Sequence, residues 1–436
     1  MPLKRNLFAA LLTSLLVGIP TSAMAQKYCP PCPKNCPPKW SCPPGPQDDW
    51  KSAPSHDEPA PAPEMSDAPP SPDSPQAPPQ DFQPVAPQTA QPSFTPSQTT
   101  TAATSPQAAA PNSIGDFFGT GSSTFYFVGS PYIGPDAASS GGTVGRQKFG
   151  ENVSTIPRDR VFLNYSFFSN VPLSANGVDV NRFTPGFEKT FNNGDFSFEM
   201  RMPFASTADS TFNSDGSVDT GQFEWGDLTV FLKALLYNDC NFAMSGGLGF
   251  AFPTRDEFIV RDVGTGATVI KVDNNSIHAL PFLATLWTPT TNFYVQTFAQ
   301  IDVDLNGNQV DFAGTPDAGR LQDATYMFLD LNMGYWIYQN PCGNVRGIAP
   351  TFELHYNQGL SSSDFVGDPV TNGIGGGDQV SLLNGVVGVN MFLHDNINVQ
   401  AGYGFPISGD QQFDGEARVT LNWLFGPGGP NHCGLH

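Results

Sequence analysis

Seven cysteines and a handful of acidic and histidine side chains are the residues with the most chemistry to offer. Four of the cysteines, Cys29, Cys32, Cys36 and Cys42, cluster near the N-terminus among prolines. A zinc site needs thiolates that converge tetrahedrally, which prolines at this density resist. A c-type haem needs His directly after Cys-x-x-Cys, and Pro33 stands there instead. Disulfides, within the chain or to another envelope protein, suit the cluster best in an oxidising compartment. Asp302-Val-Asp304-Leu-Asn306-Gly307 has the alternating oxygens that open a calcium loop, but Ala313 stands where the closing bidentate Glu belongs. Asp, Asn and Gly are also ordinary turn formers at a strand end, and that is the reading we take. His278, His355 and His394 lie in extended segments, and no Gly-x-Ser-x-Gly elbow accompanies them. Neither an enzyme, a metal centre nor a cofactor site is therefore expected.

The elements around these residues begin with an export signal. Lys4 and Arg5 precede a largely apolar run, Leu7 to Ile19, and Ala23-Met24-Ala25 offers a small-x-small cleavage site. The run is shorter than the ~20 residues a membrane-spanning helix needs. Residues 1–25 thus read as a signal peptide and 26–42 as the Cys/Pro cluster. Residues 43–111 hold 19 prolines in 69 positions, a composition that cannot bury enough apolar surface to order itself, so a disordered linker is expected. A lead-in segment (112–159), a barrel (160–425) and a C-terminal tail (426–436) complete the division. The net charge of -20 argues against nucleic acid as a partner, because binding there requires basic patches that replace phosphate counterions.

From Arg160 onward, polarity alternates with a period of two. Phe196, Phe198, Met200, Met202 and Phe204 interleave with Ser197, Glu199, Arg201 and Pro203; Val419, Leu421, Trp423 and Phe425 interleave with Arg418, Thr420 and Asn422. Such alternation means strands with one wet and one apolar face. Segments of this kind fall near 160–171, 181–191, 195–206, 224–238, 241–254, 276–289, 292–305, 324–340, 347–360, 379–394, 396–408 and 413–425. Every second connection is tight, and the others are mostly long and polar, such as 207–223, 255–275, 306–323 and 361–378. An even count with short turns on one rim and long loops on the other predicts an all-β, antiparallel transmembrane barrel of about twelve strands in the bacterial outer membrane, with its N-terminal arm in the periplasm. A soluble β-sandwich or lipocalin-like barrel, apolar inside, is the competing reading. Phe191, Phe196, Phe242, Phe293, Trp423 and Phe425 fall beside the short turns, where an aromatic girdle belongs.

Four short stretches carry a resemblance. Pro157-Arg-Asp-Arg160-Val-Phe-Leu-Asn164-Tyr165, Gly186-Phe-Glu-Lys-Thr-Phe191, Arg201-Met-Pro-Phe204, and Ser245-Gly-Gly-Leu-Gly249 with Phe252-Pro-Thr254 resemble motifs of outer-membrane barrel proteins from planctomycete-type bacteria. The resemblance covers roughly 145–255 and implies a porin- or transporter-like barrel of undefined cargo.

With the polar face as the lumen, the expected lining charges are Arg182, Glu188, Glu199, Arg201, Asp227, Lys233, Asp302, Asp304, Asp330, Glu353, Glu416 and Arg418. Eight acids against four bases would favour cations over anions in an open pore. The expected function is a porin-like channel or transporter for small solutes in the lipid bilayer. The alternative is a structural barrel that anchors other envelope proteins through the Cys/Pro-rich arm, its lumen charges paired off into a plug. Cys240, Cys342 and Cys433 would share the periplasmic rim with that arm.

Overall fold

The computed structural model describes residues 110–425, apart from 117–121, 207–208, 240, 341–342, 376–379 and 395. All seven cysteines, the signal segment and nearly all of the Pro-rich stretch lie outside the described residues.

Twelve long strands build the body of the molecule. They are β1 (Arg160–Val171), β2 (Val178–Phe191), β3 (Phe196–Arg201), β4 (Leu228–Asn238), β5 (Phe242–Phe252) and β6 (His278–Trp287). They continue as β7 (Phe293–Asp304), β8 (Tyr326–Tyr335), β9 (Val345–Gly359), β10 (Ser381–Leu393), β11 (Ile397–Gly409) and β12 (Gly415–Leu424). Each pairs antiparallel with the next, and β12 returns to β1, Trp423 lying opposite Val161 and Leu421 opposite Leu163. The sheet is closed, so no barrel strand presents an unpaired edge. Where the sequence reads as one segment at 195–206, the strand breaks at Met202-Pro203 and resumes as Phe204–Ser206. Pro203 has no N–H to give the ladder. A short partner, Phe223–Trp225, extends the same edge before β4.

The alternation of the sequence settles which face is which. Leu421 and Trp423 are 49% and 55% exposed, while Thr420 and Asn422 between them are fully buried. Apolar side chains therefore point outward and polar ones inward, the reverse of a soluble barrel. Phe191, Trp287, Tyr335 and Trp423 stand exposed at the ends of their strands beside the short turns. Amphipathic rings gather at that level where a bilayer gives way to water. Several rings break the alternation: Phe162, Phe168, Phe231, Phe282, Phe298 and Phe328 sit in the inward phase of their strands and are buried.

The long connections are not the simple polar loops that their composition suggests. They carry short strands that form two small sheets. One contains Thr315–Leu321, Asn308–Phe312, Thr268–Val272, Phe258–Arg261 and Thr211–Asn213; the other contains Phe365–Gly367, Asn372–Gly375 and a hairpin, Ser122–Phe127 with Ser130–Pro135. Phe125, Phe212, Phe258, Ile270, Val310 and Ile374 share one buried cluster between them. Phe125 meets Phe212 and Phe258 edge-on at 6.2 Å between ring centroids. This cap lies at the long-loop rim, and its hairpin comes from the lead-in segment.

Candidate functional site

The lead-in segment threads the barrel. Ala110 packs at the short-turn end with Tyr294, Trp336, Phe392 and Leu424. An outbound arm, Ala110–Asp116, rises through the lumen, and the hairpin Ser122–Pro135 joins the cap beyond the far rim. A return arm, Asp136–Asp159, then comes back down the lumen and runs straight into β1. The outbound arm takes in Ala110 and Pro111, the last two residues of the Pro-rich stretch. Both arms are buried, and they bind each other: the Ser113 amide donates to the Val153 carbonyl at 2.9 Å, and Ser113 Oγ to the Gly150 carbonyl at 2.6 Å.

Charge pairs hold the return arm to the wall. Arg146 bridges Asp302 of β7 at 3.0 Å and Asp323 at 2.5 Å, with its guanidinium 4.4 Å above the Tyr326 ring. Lys148 contacts Asp116, Asp330 of β8 at 2.9 Å and the Asn357 side-chain oxygen at 2.8 Å. Glu151 accepts from Arg182 of β2 at 3.0 Å, and the Phe149 ring stacks on Phe282 at 3.6 Å between centroids. Arg146, Lys148 and Glu151 thus each have a counter-ion within reach, which buried ions require because their desolvation costs several kcal/mol apiece.

The wall residues expected from the sequence divide into three sets. Glu188, Glu199, Arg201 and Lys233 form one network on β2–β4 together with Arg160, which the alternation does not single out. Glu188 pairs with Lys233 at 2.8 Å and Arg160 at 2.9 Å, and Glu199 pairs with Arg160 and Arg201. Arg182, Asp302, Asp330, Glu353, Glu416 and Arg418 face the two arms. Asp227 and Asp304 instead sit buried at the long-loop rim. Asp227 accepts from the backbone amides of Gly141, Thr254 and Arg255, and Asp304 from those of Asn306, Gly307 and Asp323. With Asp304 committed to these amides and Asp302 to Arg146 and His278, the Asp-Asn-Gly turn is a structural turn. Asp116, Asp330 and His355 bring three ligand atoms within 4.8 Å of one another, as a metal site would. The Lys148 ammonium contacts two of them, so the chain supplies its own cation there.

The period of two does not reach the charges on the arms: Asp116, Asp136, Arg146, Lys148, Glu151, Arg158 and Asp159. A signal existed in principle. Charged residues make up 14% of the chain, yet 146–160 concentrates Arg, Lys and Glu immediately before the first strand.

No known family matches the chain, and no curated relative does. Among solved structures, an outer-membrane channel from Pseudomonas putida F1 is similar at 14% identity, over 63% of this chain and 97% of that one, with a TM-score of 0.44. The beta domain of the Bordetella autotransporter BrkA is similar at 15% identity, over 62% and 100% of the two chains, with a TM-score of 0.39. The porin KdgM, in complex with oligogalacturonate, follows at 10% identity, over 61% and 99%, with a TM-score of 0.34.

Proposed function

We propose that this chain is a porin-like barrel of the bacterial outer membrane that rests closed, with residues 110–159 as its plug, and that small solutes pass when part of the plug leaves. The observation that carries this reading is how the plug is held. Between Ala110 and Thr155 its described links to the barrel strands run through side chains, and the ladder from its hairpin, Ser122–Pro135, to Asn372–Gly375 lies in the cap. An element held in that way can leave without opening the barrel, whose own ladder is complete from β1 to β12. The short motifs that resemble planctomycete-type outer-membrane proteins agree with this location. No catalytic role enters the proposal.

The wall's acidic excess belongs to the proposal too. Arg146 and Lys148 offset part of it while the return arm is in place, so the open pore is expected to favour cations mildly. A second reading has a specific observation behind it: Arg146, Lys148 and Glu151 each pair with the wall, as a permanent filler would. The barrel is then an anchor, and the Cys/Pro-rich arm its attachment to other envelope proteins. Planar-bilayer recordings separate the two. The wild-type protein is expected to be almost silent, and Lys148→Met, which removes the ammonium that joins Asp116 to Asp330, to give discrete steps with a cation-favouring reversal potential. A folded Lys148→Met protein that stays silent favours the anchor, and an anion-favouring potential overturns the selectivity.

A further inference from the structure

The wall facing the outbound arm reads peptide backbone. Gln296 of β7 donates to the Pro111 carbonyl at 2.8 Å, and Gln400 of β11 to the Asn112 carbonyl at 2.8 Å. The Glu353 carboxylate on β9 accepts both the Ile114 amide at 2.7 Å and the Gly115 amide at 2.8 Å, one on each oxygen. Arg418 of β12 donates to the Ile114 carbonyl at 2.9 Å. Five main-chain groups over five residues thus meet wall donors and acceptors of the right sense, and Pro111, which has no amide hydrogen, stands where none is asked for.

Two side-chain features add sequence preference. Gly388 and Gly402 face each other across β10 and β11, and a Cβ on Gly388 would overlap the Ile114 Cδ1. The pair therefore leaves a notch that an aliphatic side chain fills. Gly115 has φ +83°, and a Cβ there would meet the Glu151 Cα at 2.7 Å, so the residue after the aliphatic one must be glycine.

We propose that this face of the lumen is a binding site for extended peptides with an aliphatic residue followed by glycine, and that the outbound arm is its tethered occupant. The inference names the solute class for the channel proposed above and rests on that reading only for passage, not for binding. Extended backbone recognised by fixed donors and acceptors, with pockets for particular side chains, is a general mode of peptide capture. Here the hydrogen bonds come from wall side chains.

The test uses the full-length protein, folded in detergent and checked by its heat-resistant mobility on gels. Ile114→Glu places a carboxylate in the notch beside Glu353 and should expel the arm, read as faster amide hydrogen exchange at 114 and 115. A fluorescein-labelled heptapeptide of residues 110–116 should then bind the Ile114→Glu protein in fluorescence anisotropy and not the wild type. Binding should weaken at least tenfold when the peptide carries the same Ile→Glu change, and at least tenfold when Glu353→Gln is added to the protein. Amides that stay protected in Ile114→Glu, a heptapeptide that does not bind, equal binding of the two peptides, or displacement by a neutral maltooligosaccharide as effectively as by unlabelled heptapeptide would each overturn the inference. Within the wild-type background, Glu353→Gln alone should speed exchange at 114 and 115 more than tenfold, and unchanged rates would count against it. If the heptapeptide binds but no variant conducts, the channel reading falls and the site stands; if a variant conducts but no peptide binds, the channel stands and the site falls.

Discussion

The two arms in the lumen lie side by side, and only one of them adds several charged side chains to its backbone contacts with the wall. The return arm gives the wall backbone groups, to Gln300, Arg201, Lys233 and Ser245, but it adds its own charged side chains. Arg146, Lys148 and Glu151 each reach a wall partner, and Phe149 inserts into an aromatic cluster with Phe231, Phe282 and Phe298. The outbound arm gives the wall mostly its backbone, with Ile114 in a notch and Asp116 as its single charge. A segment pinned by buried charge cannot be withdrawn without stranding the counter-ions, whereas a segment held by its main chain can be replaced by another of similar shape. The contrast divides the plug into a fixed half and an exchangeable half.

Lys148→Met should give the largest loss, about 3–5 kcal/mol, because it removes a buried cation that Asp116 and Asp330 share and leaves His355 as the counter-ion between them. A shift in urea midpoint of the barrel folded in vesicles measures it, and a loss below 1 kcal/mol would erase the distinction between the arms. Ala401→Arg should follow at ~2–4 kcal/mol, since Ala401 faces outward toward lipid; its effect should vanish in detergents that let the side chain reach water. Gln400, one residue away, faces the plug, and its amide nitrogen serves both Asn112 and Asn390. Gln400→Ala should cost about 0.5–1.5 kcal/mol and speed amide exchange in the outbound arm only; equal acceleration in both arms would mean that they leave together. From the alternation alone a bulky Gln400→Arg looks harmless, but the bound arm leaves no space for it.

The smallest effect belongs outside the lumen. Lys271 in the cap pairs with Asp273 at 2.7 Å and Glu257 at 2.9 Å, hydrogen bonds that raise its ammonium above the ordinary lysine value. Stability from this pair is fully present below the ordinary value and is lost only as pH rises through the raised one. Lys271→Met should therefore cost only about 0–1 kcal/mol, unchanged between pH 6 and 9. A larger loss by calorimetry would show that charge matters as much in the cap as inside.

The barrel strands were legible because a sheet with lipid on one side and polar groups on the other writes a strict period of two, as in Arg418 to Phe425. The cap was less legible, since its strands run from three residues, as in Thr211–Asn213, to seven, as in Thr315–Leu321, too short to show a sustained period. The lining charges were found where they alternate with apolar neighbours. Arg160 was missed because it opens β1, where no alternation has yet begun. Asp227 and Asp304 share the polar phase of their strands, but they lie at the rim, where turns claim their oxygens. The threaded arms were hidden for a different reason: they join no barrel ladder and hold no period, and partners such as Arg418 for Ile114 come from strands far along the chain.

Threading itself is open to a direct measurement on intact cells. A short epitope inserted between Val128 and Gly129, at the exposed tip of the hairpin, should bind antibody from outside, while the same epitope placed just before Ala110 should be reached only after the outer membrane is permeabilised. If both epitopes are reached from the same side, the chain does not pass through the barrel and return, and the lumen holds no threaded plug.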